Sequence, residues 1–129
     1  MKKLLAISLI GMVLFTACKK DPPVEEASLT GKWNVETIVT KEFQNSAIVN
    51  TNTEQGNGFK YDFQTNGSLL ISSFLNGSTH PYLILPNSKV EIDGDIFEIR
   101  NLTASQVTLF IHEDYAPGEY DELFINLKR

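Results

Sequence analysis

The residues able to do covalent or coordination chemistry are few and widely spaced. The single thiol is Cys18, set between Thr16-Ala17 and Lys19-Lys20. One cysteine makes neither an internal disulfide nor a cysteine-rich metal site. His80 and His112 are the two histidines. His112-Glu113-Asp114 puts an imidazole beside two carboxylates, donor types that can hold a divalent cation. No second histidine is spaced near it, and a polar strand end accounts for the triplet more simply. Residues 91–122 contain nine acidic groups against one basic residue, Arg100. Asp93-Gly94-Asp95 and Glu119-Tyr120-Asp121-Glu122 are weak calcium candidates. Neither has the loop of an EF-hand, and solvated turns are the expected reading. No serine lies in Gly-x-Ser-x-Gly, and the sequence sets no His-acid pair beside one, so a catalytic triad is not expected. A Gly-rich phosphate loop is missing too. The pattern predicts no cofactor, no metal and no enzyme.

The remaining candidates are aromatic. The chain has eight Phe, four Tyr and one Trp in 129 residues. Phe59, Tyr61, Phe63, Phe74, Tyr82, Phe97 and Phe110 are expected to line an interior, either as a filled core or as the wall of a ligand cavity. Length allows one domain. A formal net charge of −5 and a pI of about 4.9 argue against nucleic-acid binding, which needs a basic surface.

The elements that must position these side chains read as all-β. No window from Leu29 onward keeps the i, i+3, i+4, i+7 apolar spacing for three turns. Short runs rich in Val, Ile, Phe, Tyr and Thr alternate with Gly, Asn, Asp and Pro. The predicted strands are 32–43, 46–50, 58–64, 68–75, 82–85, 89–92, 95–101, 106–112 and 122–127. The polar stretch 50–57 is expected to be the longest loop. So many short strands in one small domain predict an antiparallel barrel or sandwich.

Asn66-Gly67 and Asp93-Gly94 are hairpin signals of type I′, a turn needing φ > 0 at both central residues. For Asp93-Gly94 a two-residue loop fixes the register. Ile92 then faces Asp95, Val90 faces Phe97 and Lys89 faces Glu98. Val90, Phe97 and Ile99 are therefore expected to point inward, with Lys89 and Glu98 as an exposed ion pair. Asn76-Gly77 and Pro86-Asn87 are further turns.

Met1-Lys2-Lys3 precedes an uncharged stretch, 4–15, that is too short to span a bilayer and fits the apolar region of a secretory signal. Ending in Phe15-Thr16-Ala17-Cys18, it resembles a bacterial lipoprotein signal with its lipobox, with Phe15 where Leu is usual. The resemblance implies cleavage after Ala17, a diacylglycerol thioether on Cys18, acylation of the new amine, and an outer-membrane destination facing the periplasm or the cell surface. Two or more acyl chains anchor stably where one does not. Removing Lys2 and Lys3 leaves nine basic against sixteen acidic residues, a net charge of −7. The expected organisation is a signal peptide 1–17, a lipid-anchored tether 18–28 and one domain 29–129.

That domain opens Leu29-Thr30-Gly31-Lys32-Trp33. Gly31-x-Trp33 at the start of the first strand resembles the opening motif of lipocalins. Phe63-Gln64-Thr65-Asn66-Gly67-Ser68 follows, then the Asp93-Gly94 hairpin leading into Ile99-Arg100-Asn101-Leu102-Thr103, then the strand 107–111. Together these resemble the lipocalin-like lipoproteins of Bacteroidetes. The resemblance implies a small antiparallel up-and-down barrel of about eight strands, with Trp33 packed across a closed end under a basic residue. Arg100 and Arg129 are the candidates for that residue. An eight-stranded barrel has room for side chains or for one small ligand. The implied function is binding of a small apolar ligand in the cell envelope. The alternative is a solid-cored interaction module, such as an inhibitor or accessory subunit of an envelope complex.

Overall fold

The computed structural model describes residues 27–129. The expected signal peptide, Cys18 and most of the expected tether lie outside the described residues. Nine strands form in chain order: β1 (Gly31–Gln44), β2 (Ala47–Gln55), β3 (Lys60–Phe63), β4 (Ser68–Ser72), β5 (Gly77–Leu85), β6 (Lys89–Ile92), β7 (Asp95–Arg100), β8 (Gln106–Ala116) and β9 (Glu119–Lys128). All pairings are antiparallel. β1 also pairs with β9, so eight strands close a barrel and β2 is a ninth, outside the ring. The fold is all-β, as the alternation of apolar and polar residues predicts.

One edge of β1 serves two partners. Gly31 to Asn34 pair with β3, and Thr37 to Gln44 pair with β2. The changeover falls at a bulge between Val35 and Thr37 in the β1–β9 ladder. Gly56 donates its N–H to the Glu36 carbonyl there, at 2.9 Å. A β-carbon on Gly56 would lie 1.8 Å from the Val35 carbonyl oxygen, so only glycine permits this approach.

The stretch 50–57, expected as a loop, is mostly β2. Every residue of β2 is exposed. Its alternation is invisible because neither face is buried, and polar composition reports burial rather than pairing. Likewise β8 and β9 run past the predicted ends to a Pro117-Gly118 turn, which places Glu119 to Glu122 in a strand rather than a solvated turn. β5 begins at Gly77 rather than Tyr82 and contains Pro81. The Pro81 carbonyl accepts from Asp93 N–H, and β5 has no ladder with β6 above Tyr82. The proline nitrogen faces that unpaired edge and forfeits no ladder bond.

Asp93 and Gly94 both take positive φ, 52° and 91°, and the register is the expected one. The ion pair is not: Glu98 is bound by Arg100 of its own strand, at 2.8 Å, rather than by Lys89. Asn66-Gly67 also differs. Of the two only Gly67 has positive φ. Gly67 N–H donates to the Gln64 carbonyl and Gln64 N–H to the Ser68 carbonyl, the type I turn with a glycine bulge of a longer hairpin.

The core is Leu29, Trp33, Val35, Phe63, Leu69, Val90, Ile92, Val107, Leu109, Ile125 and Leu127. These side chains alternate inward along their strands. They fill the barrel from the end where β1 begins and β9 finishes up to a layer of Leu69, Ile92 and Ile125.

Candidate functional site

The two ends of the barrel differ. At the end where β1 starts, Gly31 has φ 113°. Without a β-carbon it leaves space for the Arg129 side chain, which would otherwise sit 3.1 Å from that carbon. The Arg129 guanidinium lies over the Trp33 ring, 3.9 Å from its centroid. It donates to the carbonyls of Ser28, at 3.2 Å, and Thr30, at 2.5 Å. Trp33 is 1% exposed and donates its indole N–H to the Leu29 carbonyl at 2.7 Å. Of the two arginines considered for this position, Arg129 holds it. Arg100 lies on the outer surface over Phe110.

The opposite end is open. Tyr61, Leu69, Ile71, Ile92, Phe97 and Ile125 line a cup of about 200 Å³. They come from five strands and all belong to the inner face, as the pairings Tyr61 with Ile71 and Val90 with Phe97 require. Burial raises the Tyr61 pKa. Higher on the inner face, Thr40, Ile111 and Leu123 line a second hollow of about 170 Å³ capped by Glu113 and Asp121. The Tyr115 hydroxyl donates to Asp121 and Glu113, at 3.1 and 3.2 Å. The bond to Asp121, more than the two negative charges themselves, pushes the Tyr115 pKa up to about 12.

At the rim of the cup stand three polar side chains, His80, Asp93 and Asp95. His80 Nδ1 bonds to Asp93 Oδ2, and His80 Nε2 lies 2.7 Å from Ser78 Oγ. Sequence reading finds no serine beside a His-acid pair, yet the fold builds such a line. Ser78 and His80 are two apart on one strand, and the β6–β7 turn brings in Asp93 from 13 residues away. Only the register between β5 and β6 makes this visible.

The seven aromatics expected to line an interior divide into three sets. Tyr61 and Phe97 line the cup. Phe63 and Tyr82 pack below it edge to face, 5.1 Å between centroids, with the Tyr82 hydroxyl donating to the Gln64 carbonyl. The other three are not interior. Phe59 is 44% and Phe74 89% exposed at the open end. Both flank turns rather than occupying alternating strand positions. Phe110 is buried from outside, against Phe124 at 4.9 Å and under Arg100. Its neighbours Leu109 and Ile111 take the inner face.

His112 is on the outer face with Asp114, 2.9 Å away, and Glu122, 3.8 Å away. Its ring lies against Tyr120, which stacks on Phe43 at 4.3 Å. Glu113 points to the opposite face, so the triplet does not converge. Among the described residues no three His, Cys, Asp or Glu side chains form a metal-sized cluster.

Comparisons with protein-family models, with curated proteins and with solved structures return no match.

Proposed function

We propose that this chain is a lipid-anchored, lipocalin-like envelope protein that holds a small apolar ligand in the open end of its barrel and catalyses nothing. The observation that carries the binding reading is the cup itself. Six apolar or aromatic side chains from five strands surround about 200 Å³, with a few polar groups at one side, the usual composition of a ligand site. Its size sets the ligand. An apolar cavity of about 150 Å³ holds benzene, whereas drug-sized ligands need about 300 Å³ or more. A benzene-sized body suits the cup and a long acyl chain does not.

The plug of Trp33 and Arg129 supports the resemblance to lipocalins, since it supplies the covering cation that the Gly31-Trp33 motif implies. It also supports a geometry for the anchor. Arg129 holds Ser28 and Thr30 at the closed end. A lipid on Cys18 would therefore join the domain at its closed end, opposite the cup.

Chemical-shift mapping with benzyl alcohol tests the binding. Shifts confined to Tyr61, Ile71, Phe97 and Ile125, and lost in Ile71→Trp, are expected. No saturable shifts at these residues would sink the reading. Labelling with a palmitate analogue, present in the wild type and absent in Cys18→Ala, tests the anchor.

The interaction module is retained as a second reading because Phe74 and Leu75, each 89% exposed, sit together on the β4–β5 turn. Exposed apolar pairs of this kind mark partner contacts. Capture of an envelope partner by the wild type but not by Phe74→Ser/Leu75→Ser, with the cup unable to bind benzyl alcohol, would favour it.

A further inference from the structure

From the charge on the cup's walls we infer that its ligand carries a protonated amine on the benzene-sized apolar body, and that carboxylate ligands of the same shape are rejected. This rests on the binding reading above and names the ligand class. Asp93 and Asp95 stand at one side of the mouth. Glu113 and Asp121 stand farther along the inner face of the β8–β9 ribbon, in the second hollow, where both accept from the Tyr115 hydroxyl. Among the described residues lining these two hollows there are four carboxylates, no lysine or arginine, and one imidazole, His80, which is paired with Asp93.

The nearby cations are committed elsewhere. Lys41 lies over the Phe124 ring on the outer face, 5.0 Å from its centroid. Lys60 borders a separate hollow outside the barrel, with Gly58 and Phe74. Arg100, Lys128 and Arg129 belong to the closed end. A concave site with low-dielectric walls and one sign of charge concentrates the opposite charge. The apolar floor admits the ring, and Asp95 then meets the ammonium at the rim, with the other carboxylates adding to the negative potential around it.

The polar groups are suited to the same head. Asp95 lies opposite Ile92 across the hairpin, so its carboxylate is on the inner face. No hydrogen bond from a described residue occupies it, which leaves it free to accept from an ammonium. Asp93 is taken up by His80, and His80 by Ser78. That line fixes the imidazole at the wall.

Titration calorimetry of the full chain at neutral pH and low salt, with benzylamine, benzyl alcohol and benzoate, tests the inference. These probes share the ring and differ in head charge. Benzylamine is expected to bind about tenfold tighter than benzoate, with benzyl alcohol between. Raised salt narrows the gap. Asp95→Asn and Asp121→Asn together are expected to reduce it to about threefold. These substitutions keep side-chain shape, Asp95 being exposed and Asp121 half-buried, and benzyl alcohol affinity checks that the cup survives. Benzoate binding as tightly as benzylamine would overturn the inference and leave the binding reading intact. Failure of all three probes to bind would overturn both.

Discussion

The guanidinium of Arg129, the last residue of the chain, lies 3.9 Å from the centre of the Trp33 ring. This contact ties the end of β9 to the start of β1, the two strands whose pairing closes the barrel. It is a cation over an aromatic face with two hydrogen bonds to backbone carbonyls. Such a contact at a solvent-facing site contributes about 1 kcal/mol.

Arg129→Ala should therefore lower the melting temperature by roughly 4–8 °C for a domain of this size. Lysine keeps a charge but not the planar fork that reaches both carbonyls, so Arg129→Lys should fall between. Differential scanning calorimetry measures both. An unchanged midpoint in Arg129→Ala would remove the plug from the account.

Gly56 and Gly94 separate two reasons for glycine. At Gly56 a β-carbon would meet the Val35 carbonyl oxygen at 1.8 Å, so β1 and the β2–β3 connection must part. At Gly94, with φ 91°, nothing lies within 4 Å and only backbone strain opposes a side chain. Gly56→Ala should cost about 3 kcal/mol or more, and Gly94→Ala about 1–2 kcal/mol. Urea denaturation orders them. The reverse order would contradict the bulge geometry described for β1.

The tyrosines should titrate unevenly in alkali. Tyr115 is held up to about 12 by its bond to Asp121 and by the carboxylates of Asp121 and Glu113, and burial raises Tyr61. For Tyr115 the folded pKa lies above the ordinary value of 10.0. Its stabilising contribution is complete below pH 10 and is lost as pH rises through about 12. Phenolate absorbance should show one fewer late-titrating group in Tyr115→Phe. In Asp121→Asn the Tyr115 transition should move toward its ordinary range.

The line from Ser78 through His80 to Asp93 resembles the hydrogen bonding of a nucleophilic serine. Ser78 is exposed, where water rather than fixed dipoles would meet a developing oxyanion. In the proposed reading the line orients the imidazole without acyl transfer. A fluorophosphonate probe should leave Ser78 unmodified. Labelling that disappears in Ser78→Ala would reassign the rim to acyl transfer.

What could be read from the sequence follows burial. Strands with one covered face carry alternation, and Asp93-Gly94 fixed a register that the fold reproduces. β2 and the far halves of β8 and β9 have no deeply covered face, so their residues read as loops and turns. The aromatics illustrate the same limit. Tyr61 and Phe97 hold inward strand positions, but Phe110 has the same composition signal and the opposite parity. Only the strand pairing assigns its face. Arg129 and Arg100 are equal candidates in the sequence because sequence distance says nothing about which cation reaches Trp33. Ser78, His80 and Asp93 come together through a hairpin register and a turn that no local motif records.

The most direct test is a crystal structure of the chain soaked with benzylamine. Ring density is expected between Tyr61, Ile71 and Phe97, with the nitrogen at the Asp95 side of the mouth. A cup filled by its own side chains, with benzylamine absent or bound only on the outer surface, would contradict it.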